Sequence, residues 1–184
     1  MSTVKSNIML DLETLGTKPG CVILSIAAVP FNMPYDVDPF YRKISIKSAE
    51  DIGMVTDPVT MAWWGKQGDA ARDEAFSGIE DVKLVLADFA DYISVMPSAP
   101  KIWGNGSDFD NPILAAAYQL CEMKQPWSFK DNRCFRTFKS EFNFLPYTPP
   151  QIAHNALHDA KAQATHMNKI YHWLYSKGAL PNAA

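Results

Sequence analysis

Three apolar segments in the first quarter of the chain predict three β-strands. Residues 7–12 are apolar on both faces, which is typical of a buried strand. The turn sequence KPGC at 18–21 separates this segment from VILSIAAVPF at 22–31, and the alternating segment FYRKISI at 40–46 follows a loop rich in Pro and Asp. Three successive strands joined by turns predict an antiparallel meander.

Beyond this region, apolar positions recur at helical spacing. The segment DPVTMAWWGKQ at 57–67 begins with Asp and Pro, which favour a first helical turn, and ARDEAF at 71–76 continues a helical composition. Further helices are predicted at 78–96, at 111–123, around 132–142 and from about 155 to 176, with a short strand at 100–106. Strands followed by alternating helices and strands predict an α/β fold with a mixed sheet flanked by helices.

Length and composition favour a single domain. The chain has 184 residues, of which 47% are hydrophobic, enough to form a buried core. There is no internal repeat, low-complexity segment or interdomain linker, so we expect one domain over residues 1–184, with a frayed tail at about 178–184.

Charge and cysteine content narrow the function classes. The formal net charge of −3 argues against a basic protein that coats nucleic acid non-specifically, but it is compatible with a nucleic-acid enzyme that has acidic metal ligands. Three cysteines without CxxC spacing favour a reduced, cytosolic protein. No signal peptide is visible and the longest apolar run is too short to span a membrane, so we expect a cytoplasmic protein without a membrane partner. Monomer and homodimer both remain open.

Two carboxylates occur one residue apart within IMLDLETLG at 8–16. Because side chains alternate along a strand, Asp11 and Glu13 point to the same side and repel each other. One interpretation is a solvated strand end, with Thr14 and Gly16 beginning a turn. The other is a site that uses both charges.

Further acidic residues precede or begin predicted helices. Asp110 lies just before one helix with Asp108 two residues earlier, and Asp159 falls in the first turns of the last helix, five residues after His154. Taken singly, each has an ordinary interpretation: Asp110 as a helix cap, Asp159 as an acid favoured by the helix dipole, and His154 as a surface histidine. Their occurrence together with the strand pair favours a common site.

Three motifs in this order resemble the DEDDh family of 3′–5′ exonucleases, the proofreading-exonuclease-like branch of the ribonuclease-H-like fold. DLETLG matches D-x-E-T-x-G, GNGSDFDNPIL matches a Phe-Asp pair before a helix, and HNALHDA matches H-x4-D. Together they extend over most of the chain. The WGNG and FDN sequences, the WW pair and the compact length are most similar to a phage and bacterial subgroup, termed exodeoxyribonuclease VIII-like or associated with exoribonuclease activity. The resemblance implies a ribonuclease-H-like mixed sheet.

The resemblance also implies the roles of five residues. Asp11, Glu13, Asp110 and Asp159 would bind two divalent cations, Mg²⁺ or Mn²⁺, and His154 would be the general base. The implied reaction releases nucleoside 5′-monophosphates from the 3′ end of single-stranded DNA or RNA. This agrees with the need for hard oxygen ligands from several elements and for a base with a pKa of about 6.5.

Other residues are expected to contact the substrate. The family implies that Thr14 and Leu15 meet the terminal nucleotide, although Leu15 also fits plain packing at a strand end. Trp63 and Trp64 offer a platform for stacked bases, but helical spacing places one of them in the core. The predicted helix at 132–142 places Arg133 and Arg136 on one face. Two interpretations of these arginines remain open: they contact phosphates, or they are solvated surface charges.

Two positions compete with this assignment. Asp108 stands where the family motif has a small or polar residue, and we prefer Asp110 as the ligand because Phe-Asp ends that motif. His158 forms H-x3-H with His154, but the zincin motif needs Glu where Asn155 stands, so a helix-surface position is favoured for His158.

Two other function classes therefore remain as alternatives. One is a catalytically weak nucleic-acid-binding module on the same fold, which a complete set of acids plus a histidine disfavours. The other is a zinc hydrolase that uses His154 and His158.

Overall fold

The centre of the molecule is a five-stranded sheet. The computed structural model describes residues 6–33, 36–106 and 108–180. The strands are β1 (Asn7–Thr14), β2 (Ile23–Phe31), β3 (Phe40–Lys43), β4 (Lys101–Gly104) and β5 (Asn132–Cys134), in the spatial order β3-β2-β1-β4-β5. β1 and β3 each pair antiparallel with β2, whereas the β1–β4 and β4–β5 pairs are parallel. The predicted meander and mixed sheet are confirmed.

Helices cover the sheet. They are α1 (Ile46–Asp51), α2 (Pro58–Trp64), α3 (Asp69–Ala75), α4 (Val82–Ser94), α5 (Asp110–Leu120), α6 (Phe135–Glu141) and α7 (Ala156–Ser176). A single 3₁₀ turn at Phe129–Asp131 leads into β5. The two predictions for residues 40–46 and 132–142 were wrong in part, since α1 begins at Ile46 and β5 occupies the first three residues of the second segment.

The sheet separates two apolar layers. Alternate residues of β1 enter different layers: Ile8 and Leu10 pack with residues of α4 and α5, and Met9 packs against α7. The alanines of α7 that face the sheet, Ala160 and Ala164, are buried and small. Small side chains let this helix lie close to β1 and β2, which positions its first turn beside β1.

The longest helix, α7, has 21 residues. In the part of the chain that the structure describes, no helix combines the length and apolar character needed to cross a membrane. A turn ends α7 at its C-terminus. In this turn Gly178 has a φ of +67°, and the Ala179 N–H donates to the Leu174 carbonyl at 3.0 Å. Residues 181–184 of the predicted frayed tail lie outside the described residues.

Candidate metal centre

Three carboxylates converge at the end of the central strand. Asp11 and Glu13 lie on one face of β1, as the strand alternation predicts, and Asp159 approaches from the first turn of α7. Oxygen atoms of the three side chains all lie within 4.8 Å of one another. Residues from distant parts of the sequence therefore form one acidic cluster.

Asp110 completes the acidic set from the first turn of α5. Its side chain is 2% exposed and accepts hydrogen bonds from the backbone N–H of Leu12 at 3.2 Å and of Asn105 at 3.0 Å. The helix N-cap is Phe109, so the capping interpretation of Asp110 is wrong. Asp108 is exposed. The negative charge of Asp110 contributes to the raised pKa of Asp11, which places Asp110 and not Asp108 beside the cluster.

A glycine permits this close approach of α5 to the sheet. A Cβ atom on Gly104, the last residue of β4, would lie 2.5 Å from Asn111 Oδ1 and 2.9 Å from Asp110 Oδ2. Asn111 holds the same junction, since its Nδ2 donates to the Ile102 carbonyl at 3.1 Å. The absence of a side chain at Gly104 thus positions the Asp110 carboxylate.

Burial raises the pKa of all four carboxylates, and repulsion by neighbouring acids adds to the shift for Asp11 and Glu13. Burial, followed by the charges of neighbouring acids, raises the pKa of Glu13 to about 8 and that of Asp11 well above its usual range. Burial raises the pKa of Asp110 to about 7, against the backbone donors that lower it, and also raises that of Asp159. Gln163 Nε2 donates to Asp11 Oδ1 at 2.8 Å and favours the charged form of that carboxylate.

This donor set fits divalent cations. Among the described residues, no lysine or arginine forms an ion pair with any of the four carboxylates. Carboxylate oxygens from several elements are the ligands that Mg²⁺ and Mn²⁺ take. A bound cation would supply positive charge in direct contact with the carboxylates, which no lysine or arginine of the described chain provides.

His154 lies at the rim of the cluster. Its φ of +60° is in the left-handed region, which histidine adopts more often than most non-glycine residues. The imidazole packs edge-to-face against Trp63, with ring centroids 4.8 Å apart, and its charge lowers the pKa of Asp159. The structure therefore brings His154 next to the acids named from the sequence.

A hydrogen-bond network ties the His154 segment to the sheet. Glu74 Oε1 accepts from the Tyr41 hydroxyl at 2.9 Å and from Asn155 Nδ2 at 3.4 Å, and Glu74 Oε2 pairs with Lys43 Nζ at 3.2 Å. Asn155 also caps α7 by accepting from the His158 N–H at 3.1 Å. Sequence reasoning missed Glu74, because it is separated from Asn155 by 81 positions and the two residues form no local pattern.

Thr14 and Leu15, which follow Glu13, make hydrogen bonds and apolar contacts to other parts of the protein. The Thr14 hydroxyl donates to the Gly16 carbonyl at 2.6 Å, and Trp64 Nε1 donates to the Thr14 carbonyl at 2.9 Å. Leu15 is 1% exposed and belongs to the core. The prediction that one of the two tryptophans is core is confirmed by Trp64, while Trp63 is 41% exposed. Contacts of Thr14 and Leu15 with a nucleotide stay predictions.

The two arginines do not share a helix face. Arg133 lies in β5 and Arg136 in α6, so that prediction was wrong. Arg136 Nη2 donates to the Asn105 carbonyl at 2.7 Å. Since the Asn105 N–H donates to Asp110, Arg136 supports the loop that holds this carboxylate.

Comparison with known proteins gives one family match. The family model described as the 3′–5′ exoribonuclease Rv2179c-like domain matches residues 6–171. No curated protein matches the chain.

Solved structures share the fold. The nuclease domain of 3′hExo, a DEDDh family member bound to rAMP, has a TM-score of 0.62 and 16% identity over 93% of this chain and 94% of its own. Cell-death related nuclease 4 (CRN-4) has a TM-score of 0.63 and 13% identity over 93% and 65%. Exonuclease I of E. coli, in complex with a dA13 oligonucleotide, has a TM-score of 0.61 and 16% identity over 94% and 43%. At these identities the likeness establishes the ribonuclease-H-like fold.

Proposed function

The chain belongs to the family of Rv2179c-like 3′–5′ exoribonuclease domains and is a metal-dependent 3′–5′ exonuclease, and on that premise we propose its substrate and mechanism. The substrate is the 3′ end of a single strand, with RNA preferred over DNA, and the products are nucleoside 5′-monophosphates. The observation that carries the proposal is the convergence of Asp11, Glu13 and Asp159, with Asp110 beside them. The family description and the rAMP bound to 3′hExo support RNA.

In this proposal the four carboxylates Asp11, Glu13, Asp110 and Asp159 would hold two divalent cations. The chemistry that bound Mg²⁺ or Mn²⁺ supplies is activation of the attacking water and neutralisation of the departing 3′-oxygen. Asp110 is fixed by two backbone donors and Asp11 by Gln163, so both carboxylates are oriented before a cation arrives. Such preorganisation lowers the cost of assembling the site.

His154 accepts the proton of the attacking water. Its half-buried position at the rim of the acidic cluster leaves the ring within reach of solvent. The ring packs against Trp63 in a T-shaped arrangement, and Asn155, the next residue, is anchored by Glu74. These contacts support the proposal, because they hold the His154 segment beside Asp159.

The terminal nucleotide is proposed to lie over the end of β1. Thr14 and Leu15 are the contacts that the family motif implies, and Leu15 has to turn out of the core to reach a base. Trp63 already presents an exposed ring, which supports stacking of a base on it.

End-labelled strands test the proposal. Wild-type protein with Mg²⁺ or Mn²⁺ is expected to shorten single-stranded RNA from the 3′ end, faster than DNA of the same sequence, and Asp11→Asn is expected to lose this activity. The matched control is Asp91→Asn, an exposed aspartate on α4. Wild type and Asp11→Asn with equal activity would refute the proposal.

The same assay separates the alternatives. Strand binding without nucleotide release from either RNA or DNA would identify a binding module. Hydrolysis that zinc stimulates and that survives Asp110→Asn would identify a zinc site at His154 and His158. Faster degradation of DNA would refute the RNA preference alone.

Four further expectations belong to this proposal and stay predictions. They are membership of the exodeoxyribonuclease VIII-like or exoribonuclease subgroup, a cytoplasmic location, a single domain over residues 1–184, and an oligomeric state for which monomer and homodimer are both open. The exoribonuclease description of the family supports the first. Light scattering of the purified chain tests the last.

A further inference from the structure

A cleft with basic walls runs along α7 beside the carboxylates. It has a volume of about 340 Å³ and lies between this helix and the proline-containing loop at 148–151. Its charged and polar lining includes His158, Lys161, His166 and Lys169 of the helix and Thr148 and Gln151 of the loop. No acidic residue is among the lining side chains that the structure describes.

The helical spacing aligns the basic residues along the cleft. His158 and His166 are eight residues apart on one side of α7, and Lys161 and Lys169 have the same separation on the adjacent side. Residues eight apart are separated by slightly more than two helical turns and are offset by about 80° around the axis, so each pair follows one winding stripe on the helix surface. From His158 to Lys169 the cleft follows about 16 Å of helix axis, at 1.5 Å per residue. This length accommodates several phosphates of an extended strand.

The lysine charges are available to a ligand. Both side chains belong to exposed residues, and neither forms an ion pair with a described acidic residue. Lys169 Nζ donates a long hydrogen bond of 3.4 Å across the cleft to the Thr148 hydroxyl oxygen. Ammonium groups of this kind bind phosphate oxygens as mobile point charges.

The inner wall of the cleft contains a buried polar group. His166 is 1% exposed, and neither of its ring nitrogens makes a hydrogen bond of good geometry with a described residue. Burial, and then the charges of Lys139 and Lys169, lower the pKa of His166, which favours the uncharged ring. Lys161 and Lys169 are the ammonium groups of the cleft lining.

The cleft begins next to the acidic cluster. His158 immediately precedes Asp159, and the charges of Asp159 and Asp11 contribute to the raised pKa of Tyr147. The Tyr147 ring in turn contacts His166 with a centroid distance of 5.4 Å. One aromatic side chain therefore links the carboxylates to the wall of the cleft.

We propose that this cleft binds backbone phosphates of the single strand upstream of its terminal nucleotide, mainly through Lys161 and Lys169. The inference rests on the proposed function, because it assumes that a strand end lies at the carboxylates. A strand held there would place several phosphates along α7, where the ammonium groups of Lys161 and Lys169 attract them. Contacts to phosphates add affinity for long strands without reading their sequence.

Salt-dependent binding tests this proposal. Affinities of 12-residue and 2-residue oligonucleotides are measured in EDTA, which prevents cleavage, for wild type, the double variant Lys161→Ala/Lys169→Ala and the control Lys83→Ala. Lys83 is an exposed lysine of α4, on the opposite side of the sheet. Loss of two phosphate contacts is expected to reduce the slope of log affinity against log salt by about 1.4 for the longer strand. Between 50 and 200 mM salt, wild type then loses about sevenfold more affinity than the double variant.

The length dependence separates a strand from a free anion. The dinucleotide is too short to reach both lysines, so its affinity is expected to change by less than about twofold in the double variant. Equal salt slopes for the double variant and Lys83→Ala would overturn the proposal. Competition by inorganic phosphate at constant ionic strength, without any dependence on strand length, would instead identify a free-anion site and also overturn it. Failure of the proposed exonuclease function gives a different result from failure of the cleft proposal, because the wild-type protein would then degrade neither RNA nor DNA.

Discussion

We expect the folded protein to lose stability at alkaline pH when divalent cations are removed. Without a cation, the raised pKa values of Glu13 and Asp110, about 8 and about 7, mean that the folded state binds protons that the unfolded chain releases. Stability then falls as pH rises, since the unfolded state binds fewer protons than the native state over this range. Proton binding by these carboxyl groups contributes to the stability of the folded state. This stabilisation is fully present below the unfolded pKa of about 4 and is lost as the pH rises through about 8.

The size of the expected loss in the free energy of unfolding can be calculated from the pKa shift of Glu13 alone. A shift from a pKa of 4.5 to about 8 corresponds, by proton linkage, to a loss of about 3.5 kcal/mol between pH 5 and pH 8. Asp110 titrates together with its neighbours, so its contribution is not simply additive. For a domain of this size, about 3.5 kcal/mol corresponds to a fall in melting temperature of roughly 7 to 14 °C.

Calorimetric melting at pH 5 and pH 8 measures this effect. In EDTA the melting temperature is expected to fall between the two values, and Mg²⁺ is expected to restore it at pH 8 more than at pH 5, where protons compete with the cation. Asp11→Asn, which removes one repelling charge, is expected to be more stable than wild type in EDTA at pH 8, whereas Asp91→Asn is expected to match wild type. A melting temperature in EDTA that stays constant or rises from pH 5 to pH 8 would refute the electrostatic account.

Two further variants test the residues around the cluster. His154→Ala is expected to lower kcat by about 10²- to 10⁴-fold in single-turnover cleavage while Mg²⁺ still raises the melting temperature; loss of that stabilisation would make His154 a ligand. Glu74→Ala releases Asn155 and is expected to lower kcat by about ten- to a hundredfold with a smaller change in KM, and Glu74→Gln, which keeps an acceptor oxygen, is expected to recover part of it. Glu50→Ala, on the exposed side of α1, is the control for Glu74→Ala, and equal activity of these two variants would contradict the positioning role.

The sequence was informative where the pattern is long or the chemistry is local. The apolar runs of β1 and β2 and the spacing in α7 predicted these elements within a few residues. Helix α1 was missed because Ile46 continues the alternation of β3, and only the Ser45 side chain, which accepts from the Ser48 N–H, marks the helix start. Strand β5 has three residues without an apolar run, so its assignment depends on pairing with β4.

The acidic residues were predictable for a different reason. Asp11, Glu13, Asp110 and Asp159 occur in motifs whose order identifies them, and the structure brings them to one end of β1. The groups that hold them were not predictable, because their partners are far away in sequence. Gln163, for instance, is 152 residues from Asp11, to which it donates. Such contacts arise only after the sheet and α7 have packed.

The most direct test of a carboxylate metal site is a comparison of two neighbouring aspartates. Asp110 is buried against the backbone of β1, whereas Asp108 is exposed two residues away. With Mg²⁺ or Mn²⁺ and 5′-labelled single-stranded RNA, Asp110→Asn is expected to lose at least about a hundredfold in cleavage rate, and Asp108→Asn less than about threefold. Equal losses in the two variants, or a larger loss for Asp108→Asn, would contradict the four-carboxylate assignment.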